Sequence, residues 1–115
     1  MRFSESLKKN SDFQVVYKNG KSFANKYLVM YVFENNSNIN RIGISVSKKV
    51  GNSIVRHRIT RLIRESYRLH ENIFNSGLDI VVIARNTASN LEYNEVESAL
   101  IHLSKLHGIL KVFFY

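Results

Sequence analysis

Residues 41–69 read RIGISVSKKVGNSIVRHRITRLIRESYRL, and the change of period inside this stretch decides the fold. From Arg41 to Ser47, Ile42, Ile44 and Val46 alternate with Gly43, Ser45 and Ser47, the two-residue period of a strand. Gly51-Asn52-Ser53 breaks that pattern and starts a long helix running to about Asn72. At about 100° per residue, Val55, Ile59, Leu62, Ile63, Ser66 and Leu69 fall on one side of it. Arg61, Arg64 and Arg68 fall on the opposite side, with Arg56 and Arg58 at the borders. A strand therefore turns into a helix that buries one face and offers arginines on the other.

Upstream, Ser11-Asp12-Phe13-Gln14 has the spacing of a capping box and Gly20 suits the position just past a helix. This predicts a first helix over about residues 12–19, with Phe13, Val16 and Tyr17 on one face. Tyr27 to Phe33 is rich in β-branched and aromatic residues and ends in Asn35-Asn36-Ser37-Asn38, a turn cluster. It is expected to pair with residues 41–47 as an antiparallel hairpin. Downstream, Asn75-Ser76-Gly77 leads into Asp79 to Ala84, an almost wholly apolar run that reads as a central strand covered on both sides. Asn90 to His107 predicts a last amphipathic helix with Val96, Leu100, Leu103 and Leu106 inward and Glu92, Glu95 and Glu97 in its first turns, as the helix dipole favours. The apolar tail, residues 108–115, has no assigned place. These runs give the order α-β-β-α-β-α.

The chain has 115 residues, 44% hydrophobic and 23% charged, with no cysteine and no proline. Such a composition suits one folded domain over residues 1–115 and excludes wholesale disorder. Without cysteine there is no disulfide framework, thiolate metal site or thiol nucleophile, which fits a reducing, cytoplasmic setting. The longest apolar run, Tyr27 to Phe33, is far short of the ~20 residues a membrane span needs, and Met1 to Asn10 is too polar for a signal peptide. No membrane partner is expected. The net charge is +8, and most of it lies in residues 48–68, where Lys48, Lys49, Arg56, Arg58, Arg61, Arg64 and Arg68 face Glu65 alone. Arginine forks pair bidentately with phosphate, so this concentration points to a polyanion. A merely solvated helix face normally interleaves both signs. The cations at the start of this helix also oppose its dipole, whereas an anion bound there would use the free N–H groups and the cations together.

A second constellation is aromatic. Phe13 and Tyr17 are one helical turn apart, and Tyr27, Tyr31 and Phe33 share one face of their strand. They either fill the core or stack unpaired bases, and the small polar face of Gly43, Ser45 and Ser47 beside them suits an open cleft. Tyr27 and Phe33 are expected to pack. Catalytic constellations are thin: Asp12 and Asp79 are the only aspartates, and neither has a second carboxylate near it in sequence. His57, His70, His102 and His107 lack metal-ligand spacing, and Ser45 and Ser47 lack an evident base. A stand-alone metal-dependent nuclease would need the missing carboxylates. A DNA-binding regulator would pair its recognition helix with a short turn and another helix, where here Gly51-Asn52 follows a strand.

Lys48-Lys49-Val50-Gly51-Asn52-Ser53-Ile54-Val55-Arg56-His57-Arg58-Ile59-Thr60-Arg61-Leu62-Ile63-Arg64-Glu65 resembles the signature of the bacterial ribonuclease P protein component, a Gly-Asn turn followed by an Arg-Asn-Arg helix. The resemblance extends through Asp12 to Tyr17, Gly20, Ala24-Asn25, Arg41 to Ser47 and Ala84-Arg85. His57 stands where the family has Asn, Thr60 where it has lysine, and Thr87 where proline is common. The fold class expected for the whole chain is α+β, a small sandwich with a central sheet of about four strands packed by helices, in the order α-β-β-β-α-β-α. The resemblance implies an unusual left-handed βαβ crossover. It implies a protein subunit that binds the catalytic RNA through Lys48, Lys49, Asn52, Arg56, His57, Arg58, Arg61, Arg64 and Arg68. It also implies that Phe13, Tyr17, Tyr31, Ser45 and Ser47 hold the 5′ leader of precursor tRNA during its endonucleolytic removal. No catalytic residue and no metal or cofactor site is expected on the protein, because the RNA subunit cleaves with its own magnesium ions. The expected partners are ribonuclease P RNA, with one protein per RNA, and precursor tRNA.

Overall fold

A computed structural model describes residues 3–112. Five strands and three helices follow one another as β1 (Ser4–Ser6), α1 (Asn10–Asn19), β2 (Lys21–Ala24), β3 (Leu28–Glu34), β4 (Asn40–Ser45), α2 (Ser53–His70), β5 (Leu78–Ala84) and α3 (Tyr93–His107). The strands form one mixed sheet in the order β1-β4-β5-β3-β2.

The expected hairpin between the two long upstream strands does not form. β5 lies between them, antiparallel to β3 (Met30 opposite Val82) and parallel to β4 (Ile42 opposite Ile80). The physical reason is the composition of β5, whose apolar side chains face both ways and need cover on both sides, which only the centre of the sheet supplies. The loop between β3 and β4 must then cross two strand spacings, roughly 10 Å, which five residues span easily. It is fastened to the start of β5: Asn35 N–H donates to the Gly77 carbonyl (2.9 Å) and Asn35 Nδ2 to Asp79 Oδ1 (2.8 Å). Gly77 sits at φ +78°, and a Cβ there would come within 2.6 Å of the Ser37 carbonyl oxygen.

Two strands, β1 and β2, carry too few apolar residues to be seen by period. The Ser4–Ser6 strand is held in parallel register on β4 and by Tyr67, whose hydroxyl lies 2.7 Å from Ser4 Oγ and 3.3 Å from Asn40 Nδ2. Tyr67 is fully buried, and burial pushes its phenol pKa up. It extends the buried stripe of α2 through Ile59, Ile63 and Ser66, so that stripe turns away from Leu69, which is 53% exposed rather than inward. Leu106, at the end of α3, is likewise exposed, while Ala99 packs inside.

The first helix begins at Asn10, and no Ser11 capping box forms. The Lys9 carbonyl receives the first helical N–H groups, and the Asp12 carboxylate lies 3.9 Å from Arg41. Gly20 is extended rather than left-handed; its lack of a side chain admits the Val16 and Val32 carbonyl oxygens, which a Cβ would meet at 2.6 and 3.0 Å. In the tail, Ile109 is buried and Leu110 bridges Phe74, while residues 113–115 lie outside those described.

The strand period then sorts the two sides of the sheet. Leu28, Met30, Ile42, Ile80 and Val82 meet α2 and α3 in the main core, all 0–1% exposed. Val81, on the other side, joins Leu7 and Val16 of α1 in a second, smaller cluster, ringed by half-buried Phe13, Tyr17, Tyr31, Phe33 and Ile83.

Candidate nucleic-acid interface

The strand β4 stops at Ser45, and residues 46–52 carry the chain to the start of α2. Val50 N–H closes a turn on the Ser47 carbonyl at 3.0 Å, burying Val50 and leaving Ser47, Lys48 and Lys49 exposed. Asn52 caps the helix, its Oδ1 accepting from Val55 N–H at 3.0 Å. The first turn of α2 holds no acidic residue, so nothing on the helix itself balances the dipole there.

Along α2 the arginines line up as expected. A groove of about 770 Å³ is lined by Arg58, Arg61, Arg64 and Arg68 together with Ser6, Leu62, Glu65 and Glu92. Arg56 and His57 lie outside its lining, on the first turns of α2, and Lys48 and Lys49 lie in the turn that precedes the helix. Thr60 Oγ1 donates to the Arg56 carbonyl at 2.8 Å, so this side chain is turned onto the helix. Two of the groove arginines hold carboxylates: Arg68 Nε donates to Glu65 Oε2 at 3.0 Å, and Arg58 lies 3.2 Å from Glu92 of the α3 start. The hydrogen bond from Arg68 keeps the exposed Glu65 carboxyl below its usual range. Arg56, Arg61 and Arg64 have no carboxylate within ion-pair distance among the described residues. Neither Ser6 nor Glu92 could be assigned to this groove by period, since each arrives from an element distant in sequence.

On the opposite side of the sheet, the aromatic side chains gather, half-buried, between α1 and the strands. The Phe13 and Tyr17 rings are 6.3 Å apart, and Tyr17 meets Tyr31 edge-on at 5.1 Å. Burial raises the Tyr17 pKa, the neighbouring Tyr31 adds to this, and a hydrogen bond with Ser45 opposes it. Gly43 makes the arrangement possible: a Cβ there would stand 2.7 Å from Phe13 ring atoms. Beyond α1, Ser45 and Ile83 lie in register on adjacent strands and Val29 pairs with Ile83, giving a half-buried row that α1 does not close. Phe33 packs on this side as expected. Tyr27 also packs, but against the main core, because β3 begins only at Leu28 and Tyr27 is freed from the strand alternation. Arg41 stands beside Asp12 of α1, its Nε and Nη2 gripping the buried Asp79 carboxylate at 2.8 and 2.6 Å.

The remaining motif residues are structural. Asn25 Oδ1 accepts from Leu28 N–H and its Nδ2 donates to the Ala99 carbonyl, tying the β2–β3 turn to α3. Arg85 donates to the Asn25 carbonyl, and Thr87 Oγ1 to that of Lys26, so Thr87 helps to hold the same turn. His107 Nε2 contacts the Met30 carbonyl at 2.9 Å and its ring meets Phe23 edge-on. Among the described residues, no three His, Asp or Glu side chains gather in a way that could hold a metal ion, and no helix is long and apolar enough to cross a membrane.

Residues 1–107 match the family model for ribonuclease P. The chain belongs to the bacterial ribonuclease P protein family. It is 68% identical over 107 residues to the ribonuclease P protein component of Lachnoclostridium phytofermentans, covering 93% of this chain and 92% of that one. The corresponding protein of Alkaliphilus oremlandii is 50% identical, with 96% of each chain covered. Among solved structures, the RNase P protein of Staphylococcus aureus superposes with a TM-score of 0.86 at 39% identity, covering 92% of this chain and 97% of that one. That of Thermotoga maritima gives 0.80 at 31% identity, covering 87% and 96%. As a ribonuclease P protein, the chain is a subunit of a ribonucleoprotein that processes tRNA, and RNA is its partner.

Proposed function

We propose that the two surfaces hold two different RNAs. The arginine groove of α2, with Lys48, Lys49, Asn52, Arg56 and His57 at the helix start, docks the RNA subunit. The cleft of Phe13, Tyr17, Tyr31 and Ser45, with Ser47 in the exposed turn just past the end of β4, receives the single-stranded 5′ leader of precursor tRNA. The chain thus assists endonucleolytic leader removal without contributing a catalytic residue, and the RNA subunit cleaves with its own magnesium ions. One protein serves one RNA, and the complex works in the cytoplasm.

The observation that carries this reading is the chemical contrast between the two sides of one sheet. Forked cations on an exposed helix suit the dense phosphates of folded RNA. Half-buried rings beside small polar residues suit unpaired bases, each stacked base contributing about 1–3 kcal/mol. The test is reconstitution with a bacterial ribonuclease P RNA. The protein alone is expected to leave precursor tRNA intact at any magnesium concentration, and the RNA subunit to restore cleavage at low magnesium. Site-specific cutting by the protein alone would overturn the reading.

A further inference from the structure

The groove on α2 contains its own anions. Glu92, at the start of α3, brings a carboxylate to Arg58 from a different element, and that carboxylate is 80% exposed. The 3.2 Å separation is longer than the about 2.7–2.9 Å of a tight charge-assisted hydrogen bond. Glu92 is also the N-cap of α3: its side chain accepts from the Glu95 N–H while its own N–H donates to Glu95 Oε1 at 3.1 Å, so the capping box anchors the residue at the helix start and the Arg58 contact is an additional one that can be exchanged. Glu65, by contrast, grips Arg68 with both oxygens from the same helix and travels with it. Arg61 and Arg64 line the same groove and, among the described residues, have no such partner.

A carboxylate and a phosphate offer a guanidinium the same pair of anionic oxygens. We propose that Glu92 occupies the phosphate position of Arg58 in the free protein and is displaced when RNA docks, so that it sets the strength and salt dependence of RNA binding. This rests on the assignment of the groove to the RNA subunit. In the free protein the ion pair fixes the Arg58 fork inside the groove. On docking, a backbone phosphate replaces the Glu92 oxygen at Arg58, and Glu92 keeps its place in the α3 capping box. Each RNA must therefore outcompete a tethered anion before it gains the Arg58 contact, whereas Arg61 and Arg64 are open from the outset.

The test is equilibrium binding of the full-length protein to a bacterial ribonuclease P RNA across a salt series. Glu92→Gln keeps the side-chain size and an amide oxygen that can still accept the Glu95 N–H, and removes the competing charge. It is expected to tighten binding about two- to fivefold, the range of an exposed ion pair. The dependence of log K on log salt should steepen by up to about one, because one more cation is fully available to phosphate. Glu34→Gln makes the same change in net charge at an exposed position outside the groove lining and should shift neither quantity comparably. In an Arg58→Ala background, Glu92→Gln should lose its effect. A Glu92→Gln protein with wild-type affinity and slope, or one whose gain survives in the Arg58→Ala background, would overturn the inference while leaving the RNA-binding assignment standing. Absence of salt-dependent binding by the wild-type protein would overturn that assignment and this inference with it.

Discussion

Met30 and Tyr31 are neighbours on β3, and they show how differently the two sides of the sheet are used. Met30 is fully buried between the sheet and the helices α2 and α3, within the main cluster of buried apolar side chains. Tyr31 points to the other side, half-buried against Tyr17, where one ten-residue helix covers only part of the strand surface. One side has enough apolar surface to be closed by two long helices. The other interleaves Gly43, Ser45 and Arg41 with its apolar residues, and among the described residues α1 is the one helix that lies on it, with Leu7 just before it. The same strand alternation thus builds a closed core on one side and a half-open surface on the other.

The largest expected effect lies on the closed side. Met30→Ala should cost about 2–5 kcal/mol of stability, seen as an early thermal transition, and should weaken every RNA interaction together. On the open side, Gly43→Ala drives a methyl group against the Phe13 ring. Because that ring can rotate away, the cost should be nearer 1–3 kcal/mol. Affinity for precursor tRNA should fall while affinity for the RNA subunit is kept; equal loss of both would mean that the cleft is merely core.

Arg61→Ala tests the groove. Melting should be unchanged, RNA-subunit affinity should fall, and its salt slope should become shallower by about one. Loss of stability with unaltered RNA affinity would make the arginine face structural. A smaller effect belongs to His107. Burial lowers its pKa and Lys21 acts in the same direction, while the contact with the Met30 carbonyl opposes them. The unfolded chain therefore binds a proton more readily than the folded one. The stability contributed by neutral His107 is present above the unfolded value of about 6.5 and is lost as pH falls from there toward the depressed folded pKa. His107→Gln, which keeps a donor for Met30, should melt with less acid sensitivity than the wild type over that interval. An identical pH profile would remove His107 from the account.

Much of this was legible in the sequence because period and charge are local. The clean alternation of residues 41–47 and the arginine spacing of residues 56–68 placed β4, α2 and the basic groove, and the apolar run before Ala84 placed β5 at the centre. Pairing was not legible, because the register of β3 depends on where β5 inserts, a choice made over some fifty residues of chain rather than within one. The strand Ser4–Ser6 carries no hydrophobic signal of its own and exists because β4 and Tyr67 offer it partners. Leu69 and Leu106 show the opposite error: apolar residues at helix ends continue the period but run past the sheet they would cover. The Arg58–Glu92 pair joins residues 34 positions apart, on α2 and at the start of α3, and has no sequence pattern.

The central claim, one RNA on each side of the sheet, is tested most directly by Tyr31→Ala. Its affinity should be measured in the reconstituted holoenzyme for precursor tRNA and for mature tRNA, which lacks the leader. Affinity for precursor tRNA should drop by about 1–3 kcal/mol, the range for one stacked base, with binding of mature tRNA and of the RNA subunit nearly unchanged. A Tyr31→Ala protein that melts much earlier and loses precursor and mature tRNA equally would contradict the account.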